Sequence, residues 1–216
     1  MSPTRRSLFA LLPLLPACLP ACVSVDIGQD APAHAYHGLH DEGSRPVERR
    51  TKPLVPALLI QALPGDALAE TASIAYSPKP HQFAYYQLAS WTERPVRQVP
   101  RLLQRRLEAR LVAGAVGVLG DPLRADWLLA LTIDALYHDV SVSPGRAKVM
   151  LGAELIDRRQ RQRIAKRRFD ADVAVERGDS AAAAQALSQA LGQAFDALLP
   201  WLEAALPASA EGPATS

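Results

Sequence analysis

A chain of 216 residues with 24 basic and 22 acidic residues, net charge +2 and only two cysteines has length for one ordinary domain. Both cysteines lie in the first 22 residues, so the remaining body forms no disulfide of its own and must rest on a hydrophobic core. The first 21 residues hold two arginines and no acid; without them the charge is formally zero, which argues against a general nucleic-acid binder.

The N-terminus reads as an export signal. Arg5 and Arg6 form a basic start, and residues 8–15 are an apolar run too short to span a bilayer. The run ends in Leu-Pro-Ala-Cys twice, at Cys18 and at Cys22. A secretory signal ending in Leu-x-Ala-Cys resembles the bacterial lipobox, in which the cysteine becomes the acylated N-terminus. Cys22 is the preferred lipidation site, with Cys18 as the alternative. Cutting before Cys22 leaves the fuller apolar run and a polar exit at Val23-Ser24-Val25-Asp26. The expected organisation is a signal peptide over residues 1–21, a lipid-anchored tether over 22–35, one domain over 36–206 and a disordered tail over 207–216. No second long apolar run offers a membrane span.

After the tether, a short extended piece is expected over residues 36–39, then a charged loop broken by Pro46 and Pro53. Residues 54–63 are almost continuously apolar and close on Pro64-Gly65-Asp66, which fits a buried strand. Residues 73–76 read as a second strand. Residues 83–91 read as a third, with Phe83, Tyr85, Gln87 and Ala89 assigned to one face. Pro95 pre-sets a helix start, and Val96, Val99, Leu102, Leu103, Leu107 and Leu111 recur at helical spacing as far as Gly114.

Residues 115–119 fit a short strand. Residues 127–140, 147–156 and 163–175 alternate and are joined by Ser143-Pro144-Gly145-Arg146 and by a charged turn, which predicts a three-stranded meander. In the first of these, Leu129, Leu131, Ile133, Ala135 and Tyr137 are assigned to one face. Ser180 reads as the N-cap of a second amphipathic helix that runs through Leu187, Leu191, Phe195, Leu198 and Leu202. The order predicts an α+β fold: a largely antiparallel sheet covered on one face by two amphipathic helices.

The chain contains no G-x-S-x-G, P-loop or G-x-G-x-x-G, so no enzyme and no ATPase of its own is expected, and no cofactor. His34, His37 and His40 are spaced by three, but on an extended segment His37 points away from the other two, which argues against a metal site. Trp91 and Pro95 suit a strand-to-helix corner, which is the preferred reading of Trp91; a partner contact is the alternative. Arg97, Arg101 and Arg105 form a stripe at spacing four, able to meet anionic headgroups, against the plainer reading of a solvated face. Trp91, Arg97, Arg101 and Arg105 are therefore the candidate partner or lipid contacts. A second cluster, Arg158, Arg159, Arg161, Arg163, Lys166, Arg167 and Arg168, crowds the last turn.

Ile74-Ala75-Tyr76, Tyr85-Tyr86, Trp91-Thr92-Glu93-Arg94-Pro95 before the helix at Leu102-Leu103, and Trp201-Leu202 at the close of an alanine-rich helix form one ordered set. Together with the lipobox, the set resembles the ABC-type transport auxiliary lipoprotein family, which includes the Pqi system's C component. The resemblance runs from about Tyr36 to Leu206. It departs at Tyr36-His37-Gly38-Leu39, one residue longer than the family's Tyr-x-Leu, and at the charged insert over residues 40–52.

The resemblance implies an outer-membrane-anchored periplasmic subunit that works with a mammalian-cell-entry-type protein and an inner-membrane ABC transporter or permease. Such systems move phospholipid or other hydrophobic molecules between the two membranes. It also suggests a ring-forming homo-oligomer. Val23 after the cysteine is not the aspartate that commonly retains lipoproteins at the inner membrane, which agrees with an outer-membrane site. The alternative is an envelope lipoprotein that acts as an assembly factor or scaffold without touching lipid cargo.

Overall fold

The computed structural model describes residues 33–43 and 48–207. The signal peptide, Cys18, Cys22, most of the tether and most of the tail lie outside the described residues. The compact unit runs Ala33–Ser216 and contains the whole of the core cluster.

Among the described residues, eight strands and two α-helices follow in the order β1 (Ala35–His37), β2 (Val55–Ala62), β3 (Ser73–Lys79), β4 (Gln82–Trp91), α1 (Pro95–Arg110), β5 (Ala113–Val118), β6 (Trp127–Asp139), β7 (Arg146–Asp157), β8 (Gln162–Ala174) and α2 (Ser180–Ala205), with a short 3-10 turn at Ala67–Glu70. They build one sheet. Its longest pairings, β6 with β7 and β7 with β8, are antiparallel, as is β3 with β4. The parallel pairings of β1 with β4, β2 with β5 and β6, and β3 with β6 are shorter. The sheet is thus antiparallel over most of its paired length, and the α+β architecture matches the one expected.

Both helices cover one face. α1 packs on β2 and β5, and α2 packs on β7 and β8. Arg106 of α1 reaches Asp196 and Gly192 of α2, so the helices lie side by side. The alternation of β7 shows the two faces of the sheet. Ala147, Val149, Leu151, Ala153 and Leu155 are buried towards the helices, whereas Lys148, Met150, Gly152 and Glu154 look outward.

Two strand assignments fail for one physical reason, a bulge. In β6 the register against β7 shifts between Ile133 and Ala135. An extra residue reverses every later side chain, so Leu136 and His138 are buried among the inward residues and Tyr137 turns out. In β4 the pairing with β3 slips between Tyr85 and Ser90. Ala89 and Trp91 therefore face the core, while Phe83 and Tyr85, assigned to the same face as Ala89, are exposed.

The helix ends also differ from the sequence reading. α1 starts at Pro95 and accommodates Pro100 near its beginning, but it stops at Arg110, before Gly114. Leu111 takes the left-handed conformation at φ 60°, donating its N–H to the Glu108 carbonyl, and Val112 donates to the Leu107 carbonyl. This paired closure normally uses glycine; here Gly114 lies within β5 instead. The N-cap of α2 is Asp179, whose Oδ1 accepts the Ala182 N–H at 2.8 Å, and Ser180 instead meets His37.

Trp91 is 2 % exposed and belongs to the core cluster. Replacing a buried aromatic by alanine removes its transfer energy and leaves a cavity. Trp91→Ala should lower the free energy of unfolding by about 3–5 kcal/mol in a denaturant titration. A melting curve like that of the wild type would show that the indole is not an essential part of the core.

Candidate functional site

The chain enters the domain along β1, and the first residues of the charged insert cross the helices. Leu39 is buried in the core, and the strap over residues 39–43 then lies across α1 and α2. His40 N–H donates to Ser188 Oγ of α2 at 3.1 Å. Gly192 allows this close passage: a Cβ there would overlap the backbone of Glu42 and Gly43.

At the centre sits Arg106, with only 3 % of its side chain exposed. Its Nε donates to Asp41 Oδ2 at 2.7 Å, and its terminal nitrogen donates to Asp196 Oδ1 at 2.8 Å and to the Gly192 carbonyl at 3.1 Å. The guanidinium also lies 5.6 Å from the centre of the Phe195 ring. Burial pushes the Asp41 carboxyl above its ordinary value, against the pull of Arg106. One helical turn on, Arg110 forks onto Glu203 with contacts of 2.7 and 3.2 Å and also reaches the Glu48 carbonyl.

Spacing alone does not mark Arg106, which stands next to the stripe of Arg97, Arg101 and Arg105 in sequence but off its register of four. The signal was there. Arg106 follows Val99, Leu102 and Leu103 on the apolar stripe, where a charge has to be buried and therefore paired. Arg106→Ala strips Asp41 and Asp196 of this cation and should cost about 3–5 kcal/mol, the usual scale for breaking a buried pair. A denaturation midpoint within error of wild type would refute it.

Of the predicted contact residues, the structure gathers two. Arg97 and Arg101 line an open groove of about 460 Å³ between the start of α1 and the ends of β2 and β5, together with Val96, Pro100, Val118 and Leu119. Leu119 is half exposed on its rim. Arg101 grips Asp121 through two contacts of 3.1 and 3.2 Å. The Val118 N–H and then Arg101 hold the Asp121 carboxyl below its ordinary value. Arg105 is exposed but does not line this groove. Trp91 is enclosed in the core and offers no surface to a partner or lipid, which corrects its place among the contact candidates.

The histidine run is split: His34 meets Ser90 at 2.9 Å, His37 meets Ser180 at 3.3 Å, and His40 is exposed. Among the described residues no cluster of His, Cys, Asp and Glu is placed to hold a metal ion. No described helix is long and apolar enough to cross a membrane.

A second recess, about 530 Å³, lies between β3, β4 and the β6–β7 loop and is walled by Tyr76, Tyr85, Tyr86, Val140, Val142 and Pro144. Tyr86 and His138 bond at 2.7 Å beneath it, between the phenol oxygen and Nδ1. Burial pushes the Tyr86 phenol up to about 12 and pulls the His138 imidazole below its ordinary value. His138 is fully buried. Being depressed in the fold, it binds fewer protons there than in the unfolded chain, so stability falls as pH drops from about 6.5 towards its native value. His138→Gln should flatten the dependence of melting temperature on pH in that window; an unchanged slope would assign the dependence to other groups.

A family model described as the ABC-type transport auxiliary lipoprotein component matches residues 39–198. The chain belongs to this family. Membership marks it as an envelope lipoprotein associated with an ABC-type transporter, and as an auxiliary component within that association. No curated protein matches the sequence. Among solved structures, protein XCC0632 from Xanthomonas campestris, described as a DUF330 protein, superposes with a TM-score of 0.69 at 22 % identity, over 79 % of this chain and 95 % of that one. A structure described only as an uncharacterized protein gives 0.58 at 18 % identity, over 79 % and 99 %. At these identities the likeness shows the fold alone.

Proposed function

We propose that this protein is a lipid-anchored, non-enzymatic periplasmic subunit of an ABC and mammalian-cell-entry-type system, held at the outer membrane through Cys22. The system carries phospholipid or other hydrophobic molecules between the inner and outer membranes. The observation that carries the reading is the union of a lipobox-like signal with a domain of the auxiliary family. Two surface features support it. The groove at Arg97 and Arg101 sets cations beside apolar side chains, the chemistry of a headgroup joined to a chain. Phe83, Tyr85 and Leu88 are 44 %, 43 % and 48 % exposed on β4, and such side chains suit a protein contact, either with the entry-type partner or between copies in a closed homo-oligomer.

The scaffold reading, in which the protein binds envelope partners and no cargo, draws on the same β4 side chains without the groove. Arg97→Glu separates the two. It should weaken transport of labelled phospholipid while leaving partner association intact; loss of neither would favour the scaffold.

Mass spectrometry of the mature N-terminus should find an acylated Cys22, and Cys22→Ala should release the protein from the outer-membrane fraction. A mature chain beginning at Cys18, or an unmodified terminus, would overturn the anchoring assignment.

A further inference from the structure

The hairpin joining β7 and β8 carries charge of one sign. Residues 158–168 hold seven cations and no acid, although the exported chain is neutral overall. Local acids offset only part of this. Glu154 takes Lys166 at 2.6 Å and Arg163 at 3.5 Å, Asp170 takes Arg168 at 3.3 Å, and Asp126 stands 3.8 Å from Arg159. Asp157 is buried, and its carboxylate accepts the backbone N–H groups of Arg159 and Gln160. Arg159 remains 76 % exposed and Arg168 62 %.

The charge changes sign along β8. On the outer face, Arg163, Lys166 and Arg168 stand opposite Ile156, Glu154 and Gly152. Further along come Asp170 and Asp172, opposite Met150 and Lys148. The cations are thus gathered at the hairpin end. Ile164 is 43 % exposed among them. Beside them runs a trough of about 490 Å³, lined by Ala130, Thr132, Gly152 and Leu63 and walled by Lys166 and Arg168.

Cations on β8 have a simpler use, since β8 pairs only with β7 among the described strands and charge on an edge strand deters edge-to-edge pairing. That use does not extend to the turn. Arg158, Arg159 and Arg161 precede β8 and have no ladder to protect.

We infer that the β7–β8 hairpin is a polybasic foot that rests on an anionic phospholipid surface. Several cations with one exposed aliphatic side chain match a leaflet of acidic headgroups, where each basic side chain adds attraction within a Debye length. The orientation relative to the anchor rests on the lipidation proposed above. Cys22 precedes β1 by a dozen residues, a reach of about 40 Å when extended. β1 and β8 lie on opposite edges of the sheet, about 25 Å apart across the strands. The hairpin stands a further distance of about 30 Å along them, because β1 is level with the His138 end of β6 and the hairpin with its Trp127 end. That drop is still within the tether's reach. The foot can therefore settle on the leaflet that holds the anchor.

The test uses the unlipidated unit Ala33–Ser216, which contains the whole core cluster, so it does not depend on acylation. It should co-sediment with phosphatidylcholine vesicles containing phosphatidylglycerol, bind phosphatidylcholine alone far less, and lose binding as salt is raised. The variant R159Q/R161Q/R168Q should lose about tenfold or more of the partition coefficient. Its melting temperature controls for folding. The salt series on the unaltered sequence tests the inference even if the variant folds poorly. Salt-independent binding, equal binding to both vesicles or no binding to either would overturn the inference. Binding to poly-glutamate without binding to vesicles would reassign the foot to an acidic protein surface.

Discussion

One guanidinium holds three parts of the chain together. Arg106 ties the strap at Asp41, its own helix and α2 at Asp196 and Gly192 into a single junction. A charge this deeply buried has to be matched on every side, because its desolvation is compensated only by well-placed partners. The surrounding choices follow from that demand. Gly192 lets the strap pass close to α2, and Ser188 accepts the strap's backbone N–H while donating to the Ala184 carbonyl. A pair of apolar helices can slide on a sheet with little penalty, whereas a fixed charge with directional partners selects one alignment. The hydrophobic core supplies the stability here, and the junction supplies the register.

Much of the architecture was legible from alternation and periodicity. The β6–β7–β8 meander, the helix start at Pro95 and the long alanine-rich α2 all carry strong local patterns. What escaped was whatever depends on a partner far away in sequence. A bulge near Asp134 is invisible to a two-residue repeat, yet it decides whether Tyr137 or His138 is buried. The early stop of α1 at Leu111 was hidden by a glycine three residues later that offered a more conventional end. Of the candidate contacts, the stripe of Arg97, Arg101 and Arg105 was legible as a pattern, but spacing does not tell which arginines reach the surface. Three-dimensional packing divides those of α1: Arg97 and Arg101 border a groove, Arg105 faces outward and Arg106 is interior.

The two faces of the sheet serve different ends. The helix-covered face is apolar and closed by the Arg106 junction. The other face, together with the β4 edge, stays open and is patterned by charge along β8 and by aromatic and aliphatic side chains on β4. An auxiliary subunit has to keep its own fold while presenting surface to something larger, and this division of labour lets substitutions on the open face alter its contacts without loosening the core.

The strap has a mechanical consequence. β1 is three residues long and joins the sheet only through β4. Any tension arriving along the N-terminal segment therefore meets a short ladder first. Two residues past its end the load falls on Leu39, wedged in the core, and then on the ion pair between Asp41 and Arg106. The point that orients the two helices is thus met directly after the Leu39 anchor by a pull from the N-terminus, so traction on that end is felt at the helix junction before it reaches the long strands of the meander.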